Sequence, residues 1–153
     1  MDIRIRTATP ADVETIAGFN RASAEESEGM TLDPKTALAG VRAAMEDPPR
    51  CRYYLAETAG RPVGQTMLTY EWSDWRNGWY WWIQSVYVLP EFRRRGVFRS
   101  LYEHIRREAR ADPTVCGLRL YVYRENERAL ATYRNLGMTV TDYLICEALW
   151  KPS

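Results

Sequence analysis

The stretch Val86-Tyr-Val-Leu-Pro-Glu-Phe-Arg-Arg-Arg-Gly-Val-Phe-Arg-Ser-Leu101 decides how the rest of the chain is read. A β-rich apolar segment ends at Pro90, three arginines and a glycine come next, and an amphipathic pattern begins at Val97. Strand, basic turn and helix in that order aim backbone N–H groups and the positive end of a helix at one spot, which suits a diphosphate. Gly96 permits a positive φ or close approach of a ligand. Arginine side chains add charge-assisted hydrogen bonds. The plain alternative is a solvated basic turn.

Outward from this stretch the pattern alternates between periods of two and of 3.6. Ile3 and Ile5 alternate with Arg4 and Arg6 as in a half-buried strand. Thr9-Pro10-Ala11-Asp12 carries a helix cap, a first-turn proline and a capping-box acid, with Val13, Ile16 and Ala17 behind it. From Asn20 to Leu32 the chain turns polar and acidic, with Glu25, Glu26 and Glu28, and reads as a solvated connection or as part of a binding surface. A second helix starts at Asp33-Pro34 and ends at Asp47-Pro48-Pro49. Strands are expected at 51–58 and 62–71, joined through Ala59-Gly60-Arg61. An Asn77-Gly78 turn leads into an aromatic strand at 79–88. The helix from Val97 turns Leu101, Ile105, Phe98 and Ala109 inward and stops at Asp112-Pro113. A strand at 117–123, a short helix at 126–136 closed by Gly137, and a last strand pair at 138–141 and 143–150 complete the order.

With 153 residues the chain fits one domain, large enough to bury about 70% of its unfolded surface. The composition is 46% hydrophobic and 27% charged, with a formal net charge of +1. Neither nucleic acid nor a membrane is expected as the main partner. No apolar run approaches the ~18 residues of a membrane span, and the N-terminus lacks a signal-peptide layout, so a cytoplasmic location is expected. Cys51, Cys116 and Cys146 fit neither a disulfide framework nor a zinc site and are expected as buried, reduced thiols. His104 is the single histidine and sits among charged residues, so no metal site is expected.

A second motif reads Asn126-Glu-Arg-Ala129-Leu-Ala-Thr-Tyr133-Arg-Asn-Leu-Gly137-Met138. The two stretches together resemble the acyl-CoA-binding core of the GNAT superfamily of N-acyltransferases. Its central signature, Gln/Arg-x-x-Gly-x-Gly/Ala, reads Arg93-Arg94-Arg95-Gly96-Val97-Phe98 here, with Phe98 where relatives carry a small residue. The resemblance implies an α/β (α+β) single domain over residues 1–153, with a mixed sheet of about seven strands and about four flanking helices. It further implies a splay between the fourth and fifth strands that admits the pantetheine arm of acetyl-CoA. Val86, Tyr87 and Val88 would line the splay; Arg93, Arg94, Arg95, Gly96, Val97, Phe98 and Arg99 would cradle the phosphates. Phe98 is expected to pack into the core while its amide faces phosphate. Asn126, Ala129 and Tyr133 would border the far side. A homodimer, with residues 143–150 as an edge or swapped strand, is implied as well.

The resemblance points to transfer of an acetyl group from acetyl-CoA to a primary amine, more readily of a small molecule than of a protein lysine or N-terminus. A non-catalytic acyl-CoA-binding module is the reading from outside enzymology. Tyr133 matches the tyrosine that relatives place near the thioester sulfur, where a phenol with pKa ~10 can donate to a departing thiolate; packing is its plain role. Asn126 either bonds the pantetheine or the attacking group, or caps its helix. The Glu that many relatives carry in the aromatic strand is Trp82 here, so no general base stands out. Gln84 and Ser85 fall on opposite faces of that strand, and one of them, Gln84 first, would position the acceptor, while Glu28, Glu71 and Asp74 are the candidate bases. Five of the six tryptophans lie between Trp72 and Trp82. Trp82 and Tyr80 are expected in the core, and Trp72 and Trp75 at an aromatic acceptor wall beside Glu28 and Glu71.

Overall fold

The computed structural model describes residues 1–151. Its strands are β1 (Arg4–Thr7), β2 (Arg52–Thr58), β3 (Arg61–Ser73), β4 (Gly78–Val88) and β5 (Val115–Leu120). Its helices are α1 (Val13–Glu28), α2 (Pro34–Glu46), α3 (Val97–Ala111) and α4 (Glu127–Asn135). The strands form one mixed sheet in the order β1-β2-β3-β4-β5. Neighbours are antiparallel as far as β4, and β5 runs parallel to β4. The chain divides into two units, Met1–Tyr121 and the part from Val122 onward. The first holds the whole sheet with α1, α2 and α3; the second holds α4.

Each helix of the first unit begins where its capping chemistry dictates. Thr9 and Asp12 form the capping box that leads into α1. Asp33 accepts from the Thr36 amide at 2.8 Å, with Pro34 at the first helical position. Val97, Leu101, Ile105 and Ala109 recur every fourth residue on α3, and all are buried. Fully burying an aliphatic side chain of this size contributes about 1.5–3 kcal/mol. On the other face of the sheet, Val13, Ile16, Ala17 and Phe19 of α1 and Val41 and Ala44 of α2 pack with Tyr53, Leu55 and Tyr87. Gly64 of β3 is needed for the helix layer to close. An added Cβ there would lie 2.9 Å from Val97 Cγ1 and 3.0 Å from the Tyr87 carbonyl.

Several expectations are corrected. The sheet has five strands, not seven: among the described residues nothing beyond β5 forms a strand. The apolar runs at 143–145 and 148–150 bury no face: Tyr143, Leu144, Ile145, Leu149 and Trp150 are exposed, so they lack the packing that would hold them as strands. The acidic stretch is the last turns of α1 rather than a loop. Cys51 is buried, but Cys116 and Cys146 are exposed. Trp81 is the core tryptophan, because its face of β4 turns toward Tyr70 and the α3 layer; Tyr80 and Trp82 are only half-buried. Phe98 is likewise half-buried, stacked at 6.3 Å on Tyr102 rather than sunk in the core.

Arg6 ties β1 to both neighbours of its strand end. Its guanidinium donates two bonds of 2.8 Å to Asp12 and one of 2.7 Å to Glu57. The Arg6 bonds, helped by donation from the Thr9 amide, hold the Asp12 carboxyl down at about 2. A carboxyl lowered in the folded state adds stability that is complete above its unfolded pKa and fades as pH falls through the folded one. The urea midpoint of the wild type should therefore drop between about pH 4 and pH 2, the span from 3.8 to about 2. Asp12→Asn should lose about 1.5–3 kcal/mol at neutral pH, as for a hydrogen bond to a charged group, and show a shallower acid slope. Equal slopes in the two proteins would detach Asp12 from acid stability.

Candidate active site

The site begins with a mismatch in strand length. Gln65 pairs with Tyr87 and Met67 with Gln84, so β3 advances two residues while β4 advances three. The extra residue makes a β-bulge centred on Ser85, whose φ is +51°. Two fully buried side chains of β3 satisfy the bulged carbonyls. Thr66 Oγ1 donates to the Gln84 carbonyl at 3.0 Å, and Gln65 Nε2 to the Ser85 carbonyl at 3.3 Å. Gln65 Nε2 also reaches Asn20 Oδ1 of α1 at 2.6 Å.

Past the bulge β4 leaves β5. The last pair in their ladder is Ile83 with Leu120, so among the described residues Val86, Tyr87 and Val88 have no partner strand on that side. Their backbone groups can take an extended ligand as a strand takes its neighbour. The bulge also resets the alternation. Gln84 and Tyr87 share the α1 side with Met67, whereas strict alternation would have sent Tyr87 to the α3 side.

From Leu89 the chain enters a short 3-10 turn, Pro90–Phe92, and then the basic turn. Arg94 and Gly96 both have positive φ, +63° and +83°. That region costs an L-residue such as Arg94 about 1–2 kcal/mol. Left-handed residues on both sides of Arg95 curl the backbone into a concavity of N–H groups of the kind that binds anions. Gly96 caps α3 directly. The first-turn amides, which lack acceptors within the helix, and about half a positive charge of helix dipole therefore face the same place. A Cβ on Gly96 would meet nothing within 4 Å, so the concavity opens to space. Arg94, Arg95 and Arg99 are exposed beside it. Arg93 differs: its Nε donates back to the Val88 carbonyl at 2.9 Å, and its guanidinium lies 5.6 Å from the Tyr87 ring centroid.

Two cavities lie on the α1 side of the sheet, the first of them against this end of β4. One of about 280 Å³ lies between the C-terminal turns of α1 and Val86, Tyr87, Val88 and Arg93. The other, about 380 Å³ and mainly apolar, lies under α2 with Asn20, Tyr53, Met67 and Thr69 in its wall. Burial raises the Tyr53 hydroxyl above its ordinary pKa, and burial first and the Glu26 carboxylate second raise that of Tyr87. Both remain neutral donors at physiological pH.

The structure brings together some of the expected acceptor residues and separates others. Gln84 donates from Nε2 to Thr69 Oγ1, which places it beside the apolar cavity. Glu71 lies on the same sheet face, opposite Tyr80, but its carboxylate accepts from Arg119 at 2.7 Å, and that guanidinium stacks 3.7 Å from the Tyr80 ring. Glu28 is the exposed last residue of α1. Trp75, 89% exposed, sits in the tip between β3 and β4; seven strand residues at ~3.3 Å each put the tip about 23 Å from the bulge. Asp74 shares that tip, and Trp72 packs edge-on against Trp79 at its base, 5.0 Å between centroids.

In the second unit, Asn126 caps α4 with its side-chain oxygen, accepting from the Ala129 amide at 3.0 Å. Tyr133 is half-buried on α4, and burial raises its hydroxyl pKa. Gly137, at φ +87°, ends the helix, with the Met138 amide donating to the Tyr133 carbonyl at 3.0 Å. Sequence reasoning missed the bulge at Ser85, its braces Gln65 and Thr66, and the inward turn of Arg93. The adjacent polar pair Gln84-Ser85 inside an apolar strand was the available signal for the first of these.

Among the described residues no helix is long and apolar enough to cross a membrane. A model of the acetyltransferase (GNAT) family matches residues 16–138. A thialysine N-epsilon-acetyltransferase from Caenorhabditis elegans is 31% identical over 80 residues, which are 52% of this chain and 49% of that protein, so the match spans about half of the relative's length. A solved structure of a possible acetyltransferase from Clostridium difficile 630 is 43% identical with a TM-score of 0.91, covering 98% of this chain and 99% of that one. A predicted acetyltransferase from Clostridium acetobutylicum, solved with acetyl-CoA, shares the fold at 14% identity and a TM-score of 0.78, over 96% of each chain. The strand, bulge, basic turn and helix described above are thus set in a chain that belongs to the GNAT acetyltransferase family.

Proposed function

We propose that the chain transfers an acetyl group from acetyl-CoA to the primary amine of a small molecule. The concavity between Arg94 and α3, next to β4 residues that β5 leaves unpaired, carries this reading. Acetyl-CoA supplies a thioester whose acyl carbon is open to attack by an amine. The amides from Arg94 to Arg99 bind its diphosphate, aided by Arg94, Arg95 and Arg99, while Val86, Tyr87 and Val88 hold the pantetheine arm by backbone pairing. The amine acceptor enters from the side of Gln84 and Thr69, where the cavity volume falls within the range of small-molecule sites, about 300–1,000 Å³. Gln84 orients the acceptor rather than taking its proton: the amine enters uncharged, its nitrogen bonds the acyl carbon as the C–S bond breaks, and the proton it sheds passes to water while the departing thiolate takes one from Tyr133. Glu28, Glu71 and Trp75 lie outside that cavity and are proposed to attract the acceptor on its approach, Glu71 jointly with Arg119 and Trp75 from the hairpin tip. The name of the Caenorhabditis elegans relative, which places acetylation on a side-chain amine, is in keeping with such an acceptor.

Tyr133 is proposed as the proton donor to the departing thiol. Its place in the Asn126–Gly137 motif supports this, as does burial, which raises its pKa and keeps the phenol protonated and able to donate. Asn126 and Ala129 are proposed to border the pantetheine.

Two measurements test the reading. Acetyl-CoA should raise the melting temperature of the wild type, since a ligand bound only by the folded state stabilises it. Gly96→Trp should abolish the shift: the protein leaves space in front of Gly96, so a bulky side chain there fills the ligand's place. A folded Gly96→Trp protein with an unchanged shift would move the donor site elsewhere. In single-turnover assays Tyr133→Phe should keep acetyl-CoA affinity while lowering the chemical rate by up to about 10²-fold, the low end for a general acid. The loss should appear in kcat and in acceptor kcat/KM alike. Full chemical turnover would reduce Tyr133 to a packing residue.

A further inference from the structure

The last turns of α1 carry three carboxylates, Glu25, Glu26 and Glu28. They stand at the negative end of the helix, where acidic groups are unfavourable. One of them is engaged. Glu26 Oε2 accepts from Arg93 at 2.5 Å, and Glu26 Oε1 accepts from the Tyr87 hydroxyl at 3.3 Å. Arg93 is thereby held on three sides: by Glu26, by the Val88 carbonyl under its Nε, and by the Tyr87 ring beneath its guanidinium. Tyr87 is itself stacked on Phe19 of α1, 5.3 Å between centroids. The guanidinium of the first arginine of the basic turn is therefore engaged on the α1 side, in the wall of the 280 Å³ cavity. Arg93 keeps extended backbone (φ −66°, ψ 152°), and the left-handed Arg94 follows it immediately.

We propose that Glu26 is a positioning residue for the donor's diphosphate: through Arg93 it fixes the entry of the turn, so that the strained 94–96 backbone is already in its anion-binding form before the ligand arrives. The inference rests on the donor reading above. It assigns Arg93 a bracing role and leaves direct phosphate contact to the backbone amides and to Arg94, Arg95 and Arg99. It also makes α1, whose other end packs in the core, a strut between the core and the donor turn. A pre-formed turn avoids the entropy loss of ordering at binding, so its loss shows in affinity rather than in the rate of chemistry.

The test uses Glu26→Gln, Arg93→Met, the double variant and Glu25→Gln as a control for charge alone at the same helix end. In the free proteins, amide hydrogen exchange of residues 93–99 should speed up in Glu26→Gln and stay at the wild-type rate in Glu25→Gln. In calorimetric titration with CoA, Glu26→Gln should bind about threefold to fivefold more weakly, the upper part of the range for an exposed ion pair. The difference should shrink at high salt, where such a pair is screened. Glu26→Asp should recover part of the loss, and Glu26→Gln should add nothing in the Arg93→Met background. At saturating acetyl-CoA, kcat and acceptor KM should match the wild type in Glu26→Gln while the KM for acetyl-CoA rises, a split that a merely structural role would not give. A wild type that takes up no CoA contradicts the donor reading. Wild-type uptake with equal affinity or equal exchange in Glu26→Gln, tighter binding in that variant, or additive losses in the cycle overturns the role of Glu26.

Discussion

Between Gln84 and Tyr87 the fourth strand uses one residue more than its partner, and the arrangement of the proposed donor site depends on that excess. Ser85 takes a left-handed conformation to absorb it, and the ladder with β5 ends at Ile83 and Leu120 just before it. A bulge strengthens twist and bends its strand, so the two parallel strands cannot continue side by side. The cost is concentrated in carbonyls that lose ladder partners. Buried acceptors without partners cost about 1–3 kcal/mol each, and Thr66 and Gln65 supply the missing donors. Thr66 and Gln65, fully buried on opposite faces of β3, thus answer the bulge from both sides, and Gln65 Nε2 bonds Asn20 of α1 as well.

The path of the chain beyond Ser85 is then constrained at each step. With the alternation reset, Tyr87 faces α1 and becomes the floor on which Arg93 rests. Leu89 still pairs with β3, its amide 2.9 Å from the Val63 carbonyl, so the chain leaves the sheet at a fixed point and angle. Gly64 clears room for Val97, which lets α3 begin directly over β3. Positive φ at Arg94 and Gly96 fills the short gap between strand and helix with inward-pointing amides. Strand end, brace, concavity and helix dipole are consecutive consequences of one chain reversal. The apolar cavity whose wall includes Thr69, to which Gln84 donates, lies on the same sheet face as Tyr87, so the proposed acceptor and donor features share that face.

Much of this was legible in the residues, and the exceptions have physical causes. Asp33-Pro34, Asp112-Pro113 and Ala59-Gly60 act locally, through capping or a fixed φ, and the elements start and stop beside them. The strand–turn–helix order of 86–101 was legible for the same reason: glycine, proline and arginine placement there reports backbone geometry directly. The bulge was not legible because register is a property of two strands, and only the pairing of Met67 with Gln84 reveals it. Charge misled at Glu25–Glu28, where it suggested a loop but the helix persists and finds Arg93, 67 residues away in sequence from Glu26. Tryptophans were expected where they are abundant, but the β3–β4 hairpin carries Trp75 to its tip, away from Gln84. The last two of the seven expected strands, at 138–141 and 143–150, were read from short apolar runs, and such runs do not by themselves distinguish a strand from exposed irregular chain.

The central claim is that the donor's phosphates and pantetheine arm are held by backbone amides at two adjoining places, the 94–99 concavity and the 86–88 strand end. Titrating the ¹⁵N-labelled protein with CoA and tracking backbone amide resonances tests it most directly. The account predicts that the largest shifts fall on the amides of Val86, Val88 and residues 94–99, with the hairpin tip at Asp74–Asn77 unmoved. Saturable shifts centred elsewhere, with both of these segments silent, would contradict it.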